Sequence, residues 1–174
     1  MTSGAFNTWN NCTFIGAEAG ISVYNATNNY QIILGNSSTA VYAASYNSIS
    51  DQRDKAEIRD TVLGLDFVNK LRPVDYKWNY RGDYYNVKHI EKTRINPDTK
   101  LEEKYLDKEI DQLPNDGSKI RSRYHHGLIA QEVKQVINEI GIDFGGYQDH
   151  SYNGGGDQMT IGYSELIGPL IKAV

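Results

Sequence analysis

The chain has 174 residues, 39% of them hydrophobic, a formal net charge of −4 and a pI near 5.5, enough apolar content for at least one modest core. With no basic excess, the electrostatic attraction that drives nucleic-acid or anionic-membrane binding has no source. One cysteine, Cys12, excludes an intrachain disulfide and a cysteine metal cluster, and no signal segment or bilayer-length apolar run is present, so the reading is a soluble protein made in a cytoplasm.

Residues 1–50 contain no lysine or arginine and one acidic residue, Glu18, while Asn, Ser, Thr, Gly, Ala and Tyr dominate. Alone, such a segment is too polar to fold. It carries an internal echo, however: "TFIG" at 13–16 and "IILG" at 32–35 each set apolar residues before a glycine. Short β-runs ended by glycine at this spacing predict stacked β-coils or repeated hairpins, whose units cannot bury a face alone and which partner chains would complete. The competing reading is a glycine-rich linker, against which the apolar triplets argue.

The composition changes abruptly within "ASYNSISDQRDKAEIRD", residues 43–59. From Lys55 to Arg72, Ile58, Val62, Leu65, Val68 and Leu71 recur at helical spacing until Pro73 forbids more helix. Gly64 divides this run, and Asp66 stands where it would cap a second helix. "VDYKWNY" then alternates Val74, Tyr76, Trp78 and Tyr80 with polar residues, the pattern of a half-buried strand. Residues 84–113 are charged and sparsely apolar, with "NPDT" at 96–99 predicting a type I turn; the segment reads as a protruding hairpin arm whose charges are a solvated face. "HHGLIAQ" predicts a strand entering a helix, with Val133, Val136 or Ile137, and Ile140 inward and Gly141 as the stop. Two strands flank the "NGGGD" turn, and Ser164 is placed to cap a last helix. The abrupt start and the helical pattern still running through "ELIGPLIKAV" read as a piece of something longer.

Motifs for phosphate loops, dinucleotide folds, zinc peptidases, CxxC redox chemistry and the GxSxG elbow are all missing. Of the four histidines, His89, His125, His126 and His150, adjacent His125 and His126 would point to opposite faces of a strand, which argues against a shared metal site. No metal and no cofactor are expected. Ser50, Asp51 and Lys55 are different. With Lys55 on the first turn of a helix and Ser50 just ahead, the amine can reach the hydroxyl, and a Ser–Lys pair is feasible if desolvation keeps the lysine neutral. The simpler alternative makes Ser50 an N-cap and the following charges a solvated first turn.

"SISDQRDKAEIRD", "LGLDFVNKLRPVDYKW", "HHGLIAQEV", "DFGGYQD" and "TIGYSELIGPLIKAV" together resemble the C-terminal intramolecular chaperone, or S74 peptidase, domain of phage tailspikes, tail fibres and endosialidases. Among such proteins the glycine-punctuated head and the charged, tyrosine-containing arm look closest to an appendage or fibre protein of a tailed phage, a neck appendage in kind. The resemblance implies an α+β fold within an intertwined homotrimer. Residues 1–50 would end a β-structured fibre, β-roll or β-prism in kind, and 51–174 would be the chaperone, with its arm at about 84–122. It implies that the domain registers three chains and then cuts itself off between Ser50 and Asp51. Ser50 is then essential, Lys55 the base, Asp51 an assisting carboxylate, and His126 either a proton carrier or a structural strand residue. How Ser50 acts stays open: attack on the preceding carbonyl opens the Ile49–Ser50 bond, whereas the family's cut follows the serine, so Ser50 either positions water or attacks its own or a neighbouring carbonyl. The partners implied are two more copies and the upstream fibre segment, with no nucleic acid and no membrane. Assembly would occur in host cytoplasm, and the released upstream part would reside in the virion. The rival readings are a trimerising adaptor that is never cut and a carbohydrate-binding fibre tip suggested by thirteen tyrosines.

Overall fold

The computed structural model describes residues 10–16, 19, 30–36, 38–96, 98–153 and 157–174, apart from the side chains of residues 108, 152 and 153. In the head, β1 (Thr13–Ile15) and β2 (Ile32–Leu34) pair in parallel, Thr13 opposite Ile32. Parallel pairing is the arrangement of stacked coils, since a hairpin would be antiparallel. The glycines ending the two runs, Gly16 (φ 103°) and Gly35 (φ 61°), both lie in the left-handed region, and a Cβ on Gly16 would stand 3.3 Å from the Gly35 Cα. Glycine thus allows both the bend and the close approach of the two turns. Residues 38–62 are exposed throughout.

The chain beyond Ser50 is mixed α/β, an α+β arrangement of small two-stranded sheets and short helices. The helix expected from Lys55 to Arg72 is confined to α1 (Leu65–Lys70), preceded by a single 3-10 turn at Gln52–Asp54 and a non-helical strap. The buried residues of the stretch are Leu63 and Gly64 just before α1 and Phe67 within it, Val68 and Leu71 are half-buried, and Ile58, Val62 and Leu65 face solvent. Gly64, with no side-chain cap, takes the N-cap position, and Asp66 sits within the first turn. Strand β3 (Val74–Lys77) is shorter than the alternation suggests, although Trp78 and Tyr80 beyond it stack at 4.6 Å.

Strands β4 (Tyr85–Ile95) and β5 (Glu102–Gln112) form the expected arm, an antiparallel hairpin that among the described residues pairs with no other strand. At its tip the Asn96 side chain accepts from the Asp98 and Thr99 amides, an Asx-type turn; Pro97 of the expected turn lies outside the described residues. Tyr84 is buried at the root, donating to Asn79 Oδ1 (2.7 Å) and accepting from the Lys119 amide (3.0 Å). Strand β6 (Tyr124–Gly127) then pairs antiparallel with β3 and leads into α2 (Ala130–Ile140). The inward face of α2 is Val133, Val136 and Ile137, with Ile140 half-buried, and Gly141 ends it at φ 67°, ψ 22°, the left-handed cap glycine adopts without strain.

Strands β7 (Tyr147–Asp149) and β8 (Met159–Ile161) pair antiparallel, with residues 154–156 of the expected glycine turn outside the described set. A 3-10 turn at Tyr163–Leu166 runs into α3 (Ile167–Ala173). Ser164 lies inside that turn rather than capping it; Gly162 holds the N-cap position. The core gathers Leu63, Phe67, Val133, Val136, Ile137 and Phe144, with the Phe67 and Phe144 rings 5.2 Å apart. Burying each such side chain stabilises by about 1.5–3 kcal/mol, so α1 and α2 are fixed mainly through this cluster. The strap between Ser50 and Leu63 has no comparable anchor.

Candidate functional site

Ser50 and Lys55 meet. The Lys55 Nζ donates to Ser50 Oγ at 2.7 Å. A single 3-10 turn brings this about: the Asp54 amide bonds to the Asp51 carbonyl, the Lys55 amide to the Gln52 carbonyl, and the backbone is extended again at Lys55. Five residues thus fold back on themselves without the helix that spacing suggested. The N-cap is Asp51 rather than Ser50: Asp51 Oδ1 accepts from the Arg53 amide at 2.9 Å. The Ser50 hydroxyl is thereby free of the capping role and faces the amine.

Asp51 also receives the Arg53 guanidinium, Nε at 3.0 Å and a terminal nitrogen at 2.7 Å. These side-chain bonds, with the backbone bond from Arg53 next, hold its carboxyl below the usual carboxylate range. The geometry is that of a group that orients the turn immediately after Ser50, since both its oxygens are engaged.

Ser50 and Lys55 line a cleft of about 540 Å³. It is lined also by Ser48 and Ile49 of the incoming chain, by Thr61 and Leu63, and by a wall far along the chain, Phe144, Gly145, Ser164, Glu165, Gly168 and Pro169. His126 does not line it. It lies on β6 with its Nδ1 2.6 Å from Asp75 Oδ1, on the exposed side of the β3–β6 pair, while His125 turns to the opposite side beside Tyr76 and Trp78. Among the described residues no cluster of His, Cys, Asp and Glu is arranged to hold a metal ion, and no helix is long and apolar enough to cross a membrane.

The model of the peptidase S74 family, described as the chaperone of endosialidase, matches residues 50–142, just over half of the chain. The chain belongs to the chaperone-of-endosialidase family. Comparison with curated proteins and with solved structures gives no match. The match to the chaperone family opens at Ser50 itself and takes in the Ser50–Lys55 pair, α1, the arm, β6 and α2. It ends before Phe144, so the far wall of the cleft is built by residues beyond it. Two blocks that carried the resemblance, "DFGGYQD" and "TIGYSELIGPLIKAV", supply that wall.

The residues of this chaperone domain that sequence reasoning overlooked at the cleft include Thr61, Leu63, Phe144, Gly145, Glu165, Gly168 and Pro169. They are more than ninety positions apart along the chain in the extreme case, Thr61 to Pro169, and no spacing rule joins them. A faint signal existed in the paired glycines: a Cβ on Gly146 would run first into the Phe144 ring and stand 3.0 Å from the Glu165 Cβ, so "FGGY" marks where the Phe144 ring and the Tyr163–Leu166 turn close on the loop before β7.

Proposed function

We propose that this chaperone domain holds three copies of its chain in register while the upstream β-structure forms, and then releases itself by cutting the Ser50–Asp51 bond. The observation that carries the reading is the 2.7 Å contact between Lys55 Nζ and Ser50 Oγ, placed at the first residue of the family match. On this reading residues 1–50 end the fibre or appendage, and 51–174 are the chaperone, cut away after assembly in the host cytoplasm while the upstream part passes into the virion. The charge-poor head with its parallel β1–β2 pair supports it: strands that pair with distant segments or other chains nucleate slowly and expose edges meanwhile. Tethering three chains raises their local concentration and fixes register, and cutting afterwards removes the route back, leaving a kinetically stable product.

In the reaction, the Lys55 amine in its neutral form takes a proton from water held by Ser50 Oγ. The hydroxide adds to the Ser50 carbonyl carbon, and the tetrahedral species collapses as the lysine returns the proton to the Asp51 nitrogen. Ser50 ends as a new carboxylate terminus and Asp51 as a new amine. General acid-base help of this kind contributes about 10²–10⁴-fold, and positioning in the cleft supplies more. In one chain Ser50 and Lys55 are exposed; a neighbouring chain covering the cleft strips water from the amine and favours its neutral form. Cleavage then follows assembly.

Mass spectrometry of the purified chain, native and denatured, tests this. The expected result is a trimer with fragments ending at Ser50 and beginning at Asp51, with Ser50→Ala and Lys55→Met left whole but still trimeric. A fragment beginning at Ser50 would instead indicate acyl shift at the preceding bond and overturn the water route. An uncut trimer of the unaltered chain would leave the adaptor reading standing, and a monomer would sink both.

A further inference from the structure

The segment that carries Lys55 is held from the opposite end of the chain. Between Lys55 and Leu63 the strap is exposed and has no secondary structure, so little fixes the lysine on its downstream side. The first firm attachment is at Thr61, whose carbonyl accepts from Lys172 Nζ in the last turn of α3. On the way there the Lys172 methylenes cross Gly64: a Cβ at that position would stand 3.2 Å from Cγ and 3.3 Å from Cδ of the lysine. Thr61 also lines the cleft with Ser50 and Lys55, and its hydroxyl accepts from the Leu63 amide at 3.2 Å. Leu63 in turn is in the core. The lysine of α3 is therefore the one described side chain that bonds the strap to another element.

We propose that Lys172 is a positioning residue for self-cleavage: by gripping the Thr61 carbonyl across Gly64 it sets the path of the strap and so the approach of the Lys55 amine to Ser50. This rests on the self-cleavage reading above. Glycine at 64 belongs to the same device, because a methyl group there meets the stem of Lys172 and displaces its amine. The device also makes the cleft depend on α3, which already contributes Gly168 and Pro169 to its wall. Cleavage competence is thus coupled to docking of the last helix, a segment more than a hundred residues from the bond that breaks.

The experiment uses the full chain and follows two quantities. One is the rate at which the uncut species disappears after refolding; the other is amide hydrogen exchange over residues 55–64. Lys172→Met keeps the methylenes and removes the donor. The expected result is slower cleavage, roughly ten-fold or more given that a 1 Å misplacement costs about 10²-fold, with faster exchange in the strap. Exchange in α2 and the melting temperature stay near wild type. Lys172→Arg, which restores a donor, recovers part of the rate, and Gly64→Ala slows cleavage in a chain whose Lys172 is unaltered. Because the defect is one of geometry, the slowing should be equal across the pH range. Wild-type speed and exchange in Lys172→Met overturn the proposal, as does a loss that Arg fails to rescue and that tracks general unfolding. If the unaltered chain does not cut, the self-cleavage reading fails by itself; the exchange measurement still decides whether Lys172 holds the strap.

Discussion

At Ser50 and Lys55 a contact between two side chains decides what neighbouring charges are for. Arg53 and Asp51 pair with each other, which leaves Lys55 to bond with the serine. Spacing made that pairing feasible but assigned the wrong local geometry, because five residues span a helical turn and a half or a 3-10 turn followed by extended chain equally well. The deciding feature is Asp51 taking the cap, a choice between adjacent Ser and Asp that residue preferences do not separate. A second pair shows what pH does to such contacts. Arg72, just past α1, donates through Nε to Glu132 Oε2 at 2.9 Å in the first turn of α2. The side-chain bond from Arg72 holds the Glu132 carboxyl below its ordinary value of 4.5. A carboxylate whose folded value is depressed contributes stability above its unfolded value and loses it as pH falls through the folded one. Arg72→Met should therefore melt slightly earlier than wild type at neutral pH, and the gap should close as pH falls below 4.5. Melting curves at a series of pH values check this; a gap that stays constant into acid means that Arg72 acts by packing.

At the scale of elements, legibility followed how local the determining physics is. The arm and α2 could be read because alternation, a turn, a helical stripe and a terminal glycine all lie within a few residues. The stretch from Lys55 to Arg72 could not. Its apolar spacing is real, yet Ile58, Val62 and Leu65 are exposed by 65%, 58% and 54%. Periodicity reports a face without saying what covers it: Val68 and Leu71 of that stripe do pack half-buried against the core, but its centre takes Leu63 and Phe67 from another register. Phe67→Ala should accordingly destabilise the domain by about 3–5 kcal/mol, read from denaturant midpoints. A cost near that of Val62→Ala, an exposed position, would contradict the burial. The arm calls for a different test. One face carries Lys88, Lys92 and Arg94 on β4 against Asp111, Asp107 and Glu103 on β5, ion-paired across the strands. Parity in the register puts Val87, Ile95, Leu106 and Ile110 on the other face, largely exposed. With so little burial the hairpin depends on its charges, and salt near 1 M shortens screening to about 3 Å. Hydrogen exchange in residues 85–95 and 102–112 should then rise with salt while α2 stays protected; equal protection at both salt levels would show the ladder to be idle.

For the whole molecule, the informative quantity is how much apolar surface one chain leaves uncovered. Ile58, Val62 and Leu65 lie on the strap and α1, and Ile167, Leu170 and Ile171 on α3, which packs against α1. The sequence sets the first three on one helical stripe, and the single chain exposes them. Both statements are compatible if another chain supplies the cover, because apolar residues in contact between copies carry the same pattern as those within one. On the proposed trimer reading such an apolar surface is where the copies meet, and part of it lies on the strap that carries Lys55. On the proposed trimer reading, Ile171→Glu puts a charge into that contact while leaving the chain's own core untouched, Ile171 being exposed by 73%. Burying an unpaired carboxylate is strongly unfavourable, so the trimer should give way to monomer in native mass spectra. Cleavage should fall in step, because the Ser50–Lys55 cleft loses the neighbour that dries it. The two readouts separate the causes. Monomer that cuts at the wild-type rate would detach cleavage from assembly, and a trimer that persists would move the chain contacts to another face of the domain.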